Sequence, residues 1–261
     1  MNFKLIQICN TKEGVLLAQE AGIDRIMIDL EIKGKKKRQK NLGSVISNHS
    51  YRDIKNLRKL IKNSELMVRI NPLNKYSQSE VKKVIELGAD RIMLPMFRSK
   101  NEVKKIINFI NGQVPLTLLL ETSTAVLRLS NILELKGIDD VHIGLNDLHI
   151  DLKLQNMFEI FNTGFLDFTV KKLHKAKVPF GIGGVSRIGD GAVPSNLILS
   201  EHKRLGSSRV IISRSFFKES GKKINYKNEI NKLRKFIDKK NLNLKKNHKK
   251  ITNIINKSIV Y

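Results

Sequence analysis

Residues 64–97, SELMVRINPLNKYSQSEVKKVIELGADRIMLPMF, contain one complete strand–helix–strand unit. The apolar runs at 65–70 and 91–96 are short, as strands buried on both faces are, and residues 77–88 have the apolar spacing of a helix. Gly88 stands just past the last apolar turn, where a glycine can end a helix in the left-handed conformation. The stretch therefore predicts two parallel strands joined by a helix.

The same alternation extends along the whole chain. Eight short apolar runs predict strands at 3–9, 25–30, 65–70, 91–96, 115–121, 140–144, 178–184 and 208–213. Helical patterns follow them at 11–21, 51–63, 77–88, 99–111, 123–135, 155–176, 196–205 and 226–240. This arithmetic predicts an α/β fold, a single (β/α)8 TIM barrel over residues 1–222 with its last helix at about 226–240. A doubly wound open sheet is the alternative, but CNTKEG (9–14) lacks the glycine-rich phosphate loop expected after its first strand.

Composition limits the class of protein. The chain has 261 residues, of which 41% are hydrophobic and 28% are charged, as is ordinary for a globular domain. Its one cysteine, Cys9, excludes an internal disulfide framework. No run approaches the roughly 18 apolar residues of a membrane span, and the N-terminus lacks signal-peptide features. We therefore expect a cytoplasmic protein without a membrane partner.

The net charge of +25 is concentrated in two segments. Residues 33–40 hold six basic residues, and the loop around them could be a lid that attracts an anionic substrate or simply a solvated loop. Residues 218–261 hold 14 basic and three acidic residues. Within them, residues 241–261 are predicted to form a basic C-terminal tail that is loosely packed and peripheral. Because the basic residues are mostly lysines amid asparagine and isoleucine, a compositional bias explains them. We expect a small anionic substrate and no dedicated nucleic-acid partner.

Candidate site residues follow from the predicted strand ends, since a TIM barrel has its active site at the C-terminal ends of its strands. Glu121 ends the fifth strand and Asp147 follows the sixth, so the two carboxylates could share a hard divalent cation. Arg69 lies within the apolar run LMVRIN, where a buried arginine needs a partner. Asp29, Glu31, Asn71, Asn146, Ser213 and Arg214 also stand at strand ends.

Five segments carry a resemblance to a known family. MIDLEIKGKKKRQ (27–39), MVRINPL (67–73), ADRIMLPMF (89–97), LLLET (118–122) and IGLNDL (143–148) resemble, in the correct order, motifs of the HpcH/HpaI aldolase/citrate lyase superfamily. The resemblance implies a metal-dependent barrel, a carbon–carbon lyase or aldolase that acts on a 2-oxo acid such as pyruvate, or on an acyl-CoA, through a metal-stabilised enolate. It also implies a homo-oligomer, either a trimer or a hexamer.

Carried onto this chain, the resemblance implies a role for each residue at the barrel mouth. Glu121 and Asp147 become ligands of Mg²⁺ or Mn²⁺, and Arg69 holds an oxygen of the 2-oxo acid. Backbone amides near Gly144 and Asn146 would hold the substrate carboxylate. Glu31 would orient Arg69 or waters on the metal.

The chain departs from the family pattern at two positions and is ambiguous at a third. Ile32 stands where the citrate lyase type has an aspartate, and Met96 stands where a lysine is usual, which counts against acyl-CoA chemistry. His49, followed by Asp53, could supply the catalytic base of the aldolase branch after an insertion at 32–48.

Two other functions remain open from sequence. GIGGV (181–185) and the lysines would suit a phosphate-recognising barrel, such as a transferase that uses phosphoenolpyruvate. A degenerate barrel that binds nucleic acid or a partner through its basic surface is the non-enzymatic alternative.

Overall fold

A computed structural model describes residues 3–32, 49–217 and 225–258. Within them, eight parallel strands close into a barrel in sequence order. The strands are β1 (Lys4–Ile8), β2 (Arg25–Asp29), β3 (Glu65–Arg69), β4 (Arg91–Leu94), β5 (Leu116–Leu120), β6 (Asp140–Ile143), β7 (Phe180–Val185) and β8 (Arg209–Ile212). Because β1 pairs with both β2 and β8, the sheet has no free edge. The predicted TIM barrel is confirmed and the open sheet is excluded.

Helices cover the outside of the barrel. They are α1 (Lys12–Glu20), α2 (Tyr51–Arg58), α3 (Ser77–Glu86), α4 (Lys100–Ile110), α5 (Ser123–Leu127), α6 (Leu129–Ile132), α7 (Leu145–Asp151), α8 (Phe165–Lys175), α9 (Ser195–Leu205), α10 (Tyr226–Asp238) and α11 (Leu244–Ser258). The predicted helix 155–176 was too long, because Gly164, at φ +69°, separates α8 from a 3₁₀ turn at Glu159–Phe161. The short α7 directly after β6 was not predicted.

Side chains that point into the barrel form layers. The middle layer is an apolar cluster that consists of Ile6, Met27, Met67, Met93 and Leu119. Since strand residues alternate between the two faces, residues two positions earlier also face inward, at the N-terminal end of the barrel. Met93 is therefore part of the apolar core of the barrel.

The N-terminal end of the barrel interior is ionic. Guanidinium nitrogens of Arg25, Arg91 and Arg209 lie 2.9, 3.4 and 2.7 Å from the same oxygen of Asp140, and Glu65 pairs with the first two. Burial would raise the pKa of Asp140, but the three guanidiniums hold this pKa below its ordinary value. This layer closes the barrel opposite the mouth.

The C-terminal segment is packed against the barrel, which corrects the expectation of a loose tail. Residues 244–258 form α11, in which Ile251 and Ile255 are fully buried. The Asn247 side chain donates to Ser200 Oγ on α9 over 3.0 Å. The charge of the segment does not prevent burial because its lysines and its isoleucines lie on different faces of the helix. The basic segment 33–40 and the domain limit at 222 lie outside the described residues.

Candidate active site

A cavity of about 390 Å³ lies at the C-terminal mouth of the barrel. It is lined by Ile8, Arg69, Leu119, Glu121, His142, Gly144, Leu145, Asn146, Asp147, Met157, Gly183, Gly184, Ile211, Ser213 and Arg214. Its size suits a small molecule. Seven residues were given a role in the sequence analysis, and five of them line this cavity: Arg69, Glu121, Gly144, Asn146 and Asp147. Glu31 and His49 are not.

Arg69 ends β3 and is held by two buried carboxylates. Its Nε donates to Asp29 Oδ1 over 2.8 Å and its Nη2 donates to Asp29 Oδ2 over 2.7 Å. Glu31 Oε2 lies 3.6 Å from Nε, and both acids are fully buried. Burial would lower the pKa of Arg69, but the neighbouring carboxylates raise this pKa above its ordinary value. Arg69 is therefore a fixed positive charge on the cavity wall.

Glu121 follows β5, and its carboxylate lies between the backbone of Met96 and that of Gly144. The N–H of Met96 donates to its Oε1 over 3.0 Å. A Cβ placed on Gly144 would lie 3.1 Å from Oε2, so the bare backbone at this glycine makes room for the carboxylate. Burial raises the pKa of Glu121 well above its ordinary value, and the charges of Glu31 and Asp147 raise it further against the opposing effect of Arg69.

Asp147 lies in the first turn of α7 and is 8% exposed. Asp147 and Glu121 come from the ends of the neighbouring strands β6 and β5, and both line the cavity. Asn146 and Gly144 come from the same turn, so β6 and α7 supply one whole side of the cavity. Arg69, Glu121 and Asp147 thus line the same cavity, and their roles in it stay predictions.

The donor set fits a hard divalent cation. Among the described residues no group of three or more histidine, cysteine, aspartate and glutamate side chains is arranged to hold a metal. Mg²⁺ needs no such group, since one or two carboxylates with waters and substrate oxygens complete its shell. Burial first, and then the charges of Glu31 and Asp147, raise the pKa of Glu121, and a cation beside these carboxylates would oppose all three effects.

His49 is not among the residues that line the cavity. Its Nδ1 accepts the backbone N–H of Asp29 over 2.9 Å. In a neutral imidazole whose Nδ1 is the acceptor, Nε2 carries the proton, so neither nitrogen can take a proton from a substrate while this contact holds. The contact instead ties His49 to the last residue of β2.

A histidine that the sequence analysis did not single out lines the cavity. His142 faces inward on β6, between Asp140 and Gly144, and is 1% exposed. Its Nε2 donates to the carbonyl oxygen of Gly183 over 2.9 Å. Burial lowers its pKa to about 4, so the ring is neutral at physiological pH. The alternation along β6 was the signal that could have placed it in the interior.

The glycines of GIGGV are explained by packing. A Cβ on Gly183 would lie 2.6 Å from Leu145 Cδ1, and one on Gly184 would lie 3.2 Å from the carbonyl oxygen of Ile211. At both positions the absent side chain makes room for the protein's own atoms. The phosphate-binding interpretation of this segment therefore gains no support from its glycines.

Comparisons with known proteins agree with this architecture. Three solved structures share the fold at low sequence identity. An HpcH/HpaI aldolase from Desulfitobacterium hafniense DCB-2 has a TM-score of 0.63 and 16% identity, covering 81% of this chain and 86% of that one. A citrate lyase from Burkholderia xenovorans LB400 has a TM-score of 0.62 and 14% identity, covering 82% and 74%. RipC from Yersinia pestis has a TM-score of 0.62 and 14% identity, covering 91% and 95%.

No curated protein matches the chain in sequence. None of the helices that the structure describes is both long and apolar enough to cross a membrane. The family profile described as HpcH/HpaI aldolase/citrate lyase matches residues 13–183, well over half of the chain. The chain therefore belongs to the HpcH/HpaI aldolase/citrate lyase family, a family of carbon–carbon lyases.

Proposed function

We propose that this protein is a metal-dependent carbon–carbon lyase. It would break or form the carbon–carbon bond between a 2-oxo acid fragment of the pyruvate type and a carbonyl compound. The observation that carries the proposal is that Arg69, Glu121 and Asp147 line one small cavity at the barrel mouth. A guanidinium and two carboxylates there can hold an anion and a cation side by side.

Glu121 and Asp147 are the residues that would hold Mg²⁺ or Mn²⁺. When bound, such a cation supplies Lewis-acid stabilisation for the oxygens of a 2-oxo acid. The role of Glu121 in this proposal depends on its orientation, which the Met96 N–H fixes through Oε1. Oε2 is then the oxygen nearer to Gly144 and the turn that carries Asp147.

Arg69 neutralises the negative charge of the reacting fragment. Its Nε and one N–H of Nη2 donate to Asp29, so both N–H groups of Nη1 and the second one of Nη2 remain to meet a substrate oxygen. The two-point contact with Asp29 fixes the plane of the guanidinium before substrate arrives. Such preorganised donors stabilise charge that develops in a transition state without having to reorient.

In the cleavage direction, the hydroxyl group of the substrate loses its proton to water in the cavity. The neighbouring carbon–carbon bond breaks, and its electron pair moves toward the carbonyl oxygen of the 2-oxo acid fragment. Arg69 pairs with that oxygen while the other fragment leaves as a carbonyl compound. The enolate then takes a proton on carbon to give the 2-oxo acid. We assign His49 to positioning β2 through Asp29 rather than to the proton transfer.

A 2-oxo acid is the better substrate class than an acyl-CoA. Ile32, which follows Glu31, is an exposed apolar residue at the position where the acyl-CoA lyases have an acid. Met96 replaces the family lysine and offers Glu121 only its backbone N–H. Neither supplies the polar side chain that the citrate lyase type has at these positions.

Exchange of the methyl protons of pyruvate for deuterium, followed by ¹H NMR, tests the proposal. We expect exchange that requires Mg²⁺ or Mn²⁺ and stops on chelation. Asp147→Asn should abolish it, whereas Arg69→Lys should slow it by roughly 30- to 1,000-fold through loss of the planar two-point contact. Asp151→Asn is the matched control, because this acid lies on α7 but accepts from Ser123 outside the cavity. No exchange in the wild type, or exchange that persists in Asp147→Asn, would contradict the proposal.

A further inference from the structure

The C-terminal helix α11 has two chemically different faces. At about 100° per residue, its five lysines fall within roughly 140° of arc. They are Lys245, Lys246, Lys249, Lys250 and Lys257, and all five are exposed. Ile251 and Ile255 lie on the opposite face and are fully buried. The lysines therefore form one continuous face, named here the α11 lysine face.

The α11 lysine face carries positive charge without compensation from its own helix. Lys245 and Lys249 are four residues apart, as are Lys246 and Lys250, and like charges at this spacing destabilise a helix. Residues 244–258 contain no acidic residue. A bound polyanion would convert this repulsion into attraction.

The helix that carries these lysines is firmly attached to the barrel. Besides its two buried isoleucines, the Nδ2 of Asn162 donates to the Asn256 side chain over 2.9 Å. His248 Nδ1 lies 3.1 Å from Glu201 on α9. The lysine face is thus presented on a preorganised helix, and binding would not have to order this segment.

Against the expectation drawn from composition, we propose that the α11 lysine face binds the phosphate backbone of double-stranded DNA, without sequence preference. An α-helix fits the major groove, and lysines on successive turns match a row of phosphates. The face contains no arginine for two-point contact with guanine and no aromatic side chain for stacking on bases. Recognition would therefore rest on charge alone.

The burial of the apolar face of α11 favours DNA over a membrane surface as the partner of the lysines. An interfacial helix inserts its apolar side chains between lipid headgroups. Here Ile251 and Ile255 are buried against the barrel and cannot insert. None of the residues that line the active-site cavity belongs to α11, so this surface is independent of the proposed catalysis.

Fluorescence anisotropy of a labelled DNA duplex of mixed sequence, titrated with the full chain at rising salt, tests the proposal. Changing all four of Lys245, Lys246, Lys249 and Lys250 to Gln should weaken binding at low salt by at least about tenfold. The plot of log affinity against log salt concentration should also become less steep, by up to about 3–4 units. This corresponds to close to one unit for each phosphate contact that is lost.

The matched control removes the same charge elsewhere. Lys82, Lys83, Lys104 and Lys105 are exposed on α3 and α4, and their joint change to Gln should leave most of the affinity. Equal loss in the two quadruple variants would show that net charge alone attracts the duplex and would overturn the proposal. Absence of duplex binding, or tighter binding to phosphatidylglycerol vesicles than to DNA, would also overturn it.

Discussion

The backbone N–H of Met96 donates to Oε1 of Glu121 over 3.0 Å, across the gap between the ends of β4 and β5. Met96 has φ +53°, in the left-handed region that a side chain disfavours. The strained backbone aims the N–H at the carboxylate, so one oxygen of Glu121 is fixed before any ligand binds. Met96, which stands where the family usually has a lysine, therefore orients a proposed metal ligand through its backbone.

Replacing Met96 by glycine should preserve the site. Glycine accepts φ +53° and keeps the N–H, so we expect divalent-cation affinity to stay unchanged. The relief of strain and the entropy cost of glycine should nearly cancel, with a change in unfolding free energy of less than about 1 kcal/mol. Met96→Val should resist the left-handed backbone and weaken Mn²⁺ binding, measured by calorimetry. Loss of Mn²⁺ binding in the glycine variant would contradict the orienting role.

The Asp29–Arg69 pair predicts a large stability effect. Asp29 and Glu31 are fully buried, so Arg69→Ala would leave two buried carboxylates without their guanidinium. Breaking a buried pair in this way costs about 3–5 kcal/mol, which urea denaturation can measure. The double variant Asp29→Asn with Arg69→Met should recover part of the loss. If Arg69→Ala unfolds at the wild-type urea concentration, the pair does not stabilise the fold.

The C-terminal helix should contribute to stability. Ile251 and Ile255 are fully buried, so each change to alanine should lower the free energy of unfolding by about 2–5 kcal/mol. Ile254→Ala, at a partly buried position on the same helix, is the control and should cost less. Thermal denaturation of the three variants makes the comparison. Unchanged melting temperatures for Ile251→Ala and Ile255→Ala would restore the view of a peripheral tail.

The barrel itself was predictable because parallel strands buried on both faces read as short apolar runs, and each run lies within a few residues of its strand. The meeting of Glu121 and Asp147 was predictable for a related reason, since the ends of neighbouring parallel strands share one edge. Their roles as metal ligands stay predictions.

Other features depend on conformations that a sequence pattern does not encode. The positive φ of Met96 and the hydrogen bond from the Asp29 N–H to His49 both depend on the local backbone conformation. In α11, the four-residue spacing of Ile251 and Ile255 only weakly indicated a buried helix face, because many lysines surround them. Their burial depends on packing against α9, which the sequence pattern of α11 does not specify.

The neutral, buried ring of His142 should make stability fall with acid. Its pKa is lowered from 6.5 to about 4, chiefly by burial, so between these values the unfolded chain binds a proton that the folded protein excludes. The free energy of unfolding therefore rises with pH through this window, and the contribution of His142 is lost as the pH falls from 6.5 to 4. The loss should approach about 3 kcal/mol.

Urea denaturation of the wild type and of His142→Phe at a series of pH values measures this loss. Glu121 titrates in both proteins, so the difference between their profiles reports the imidazole of His142 together with its smaller effect on the pKa of His202. Parallel profiles would show that His142 does not resist protonation in the folded state.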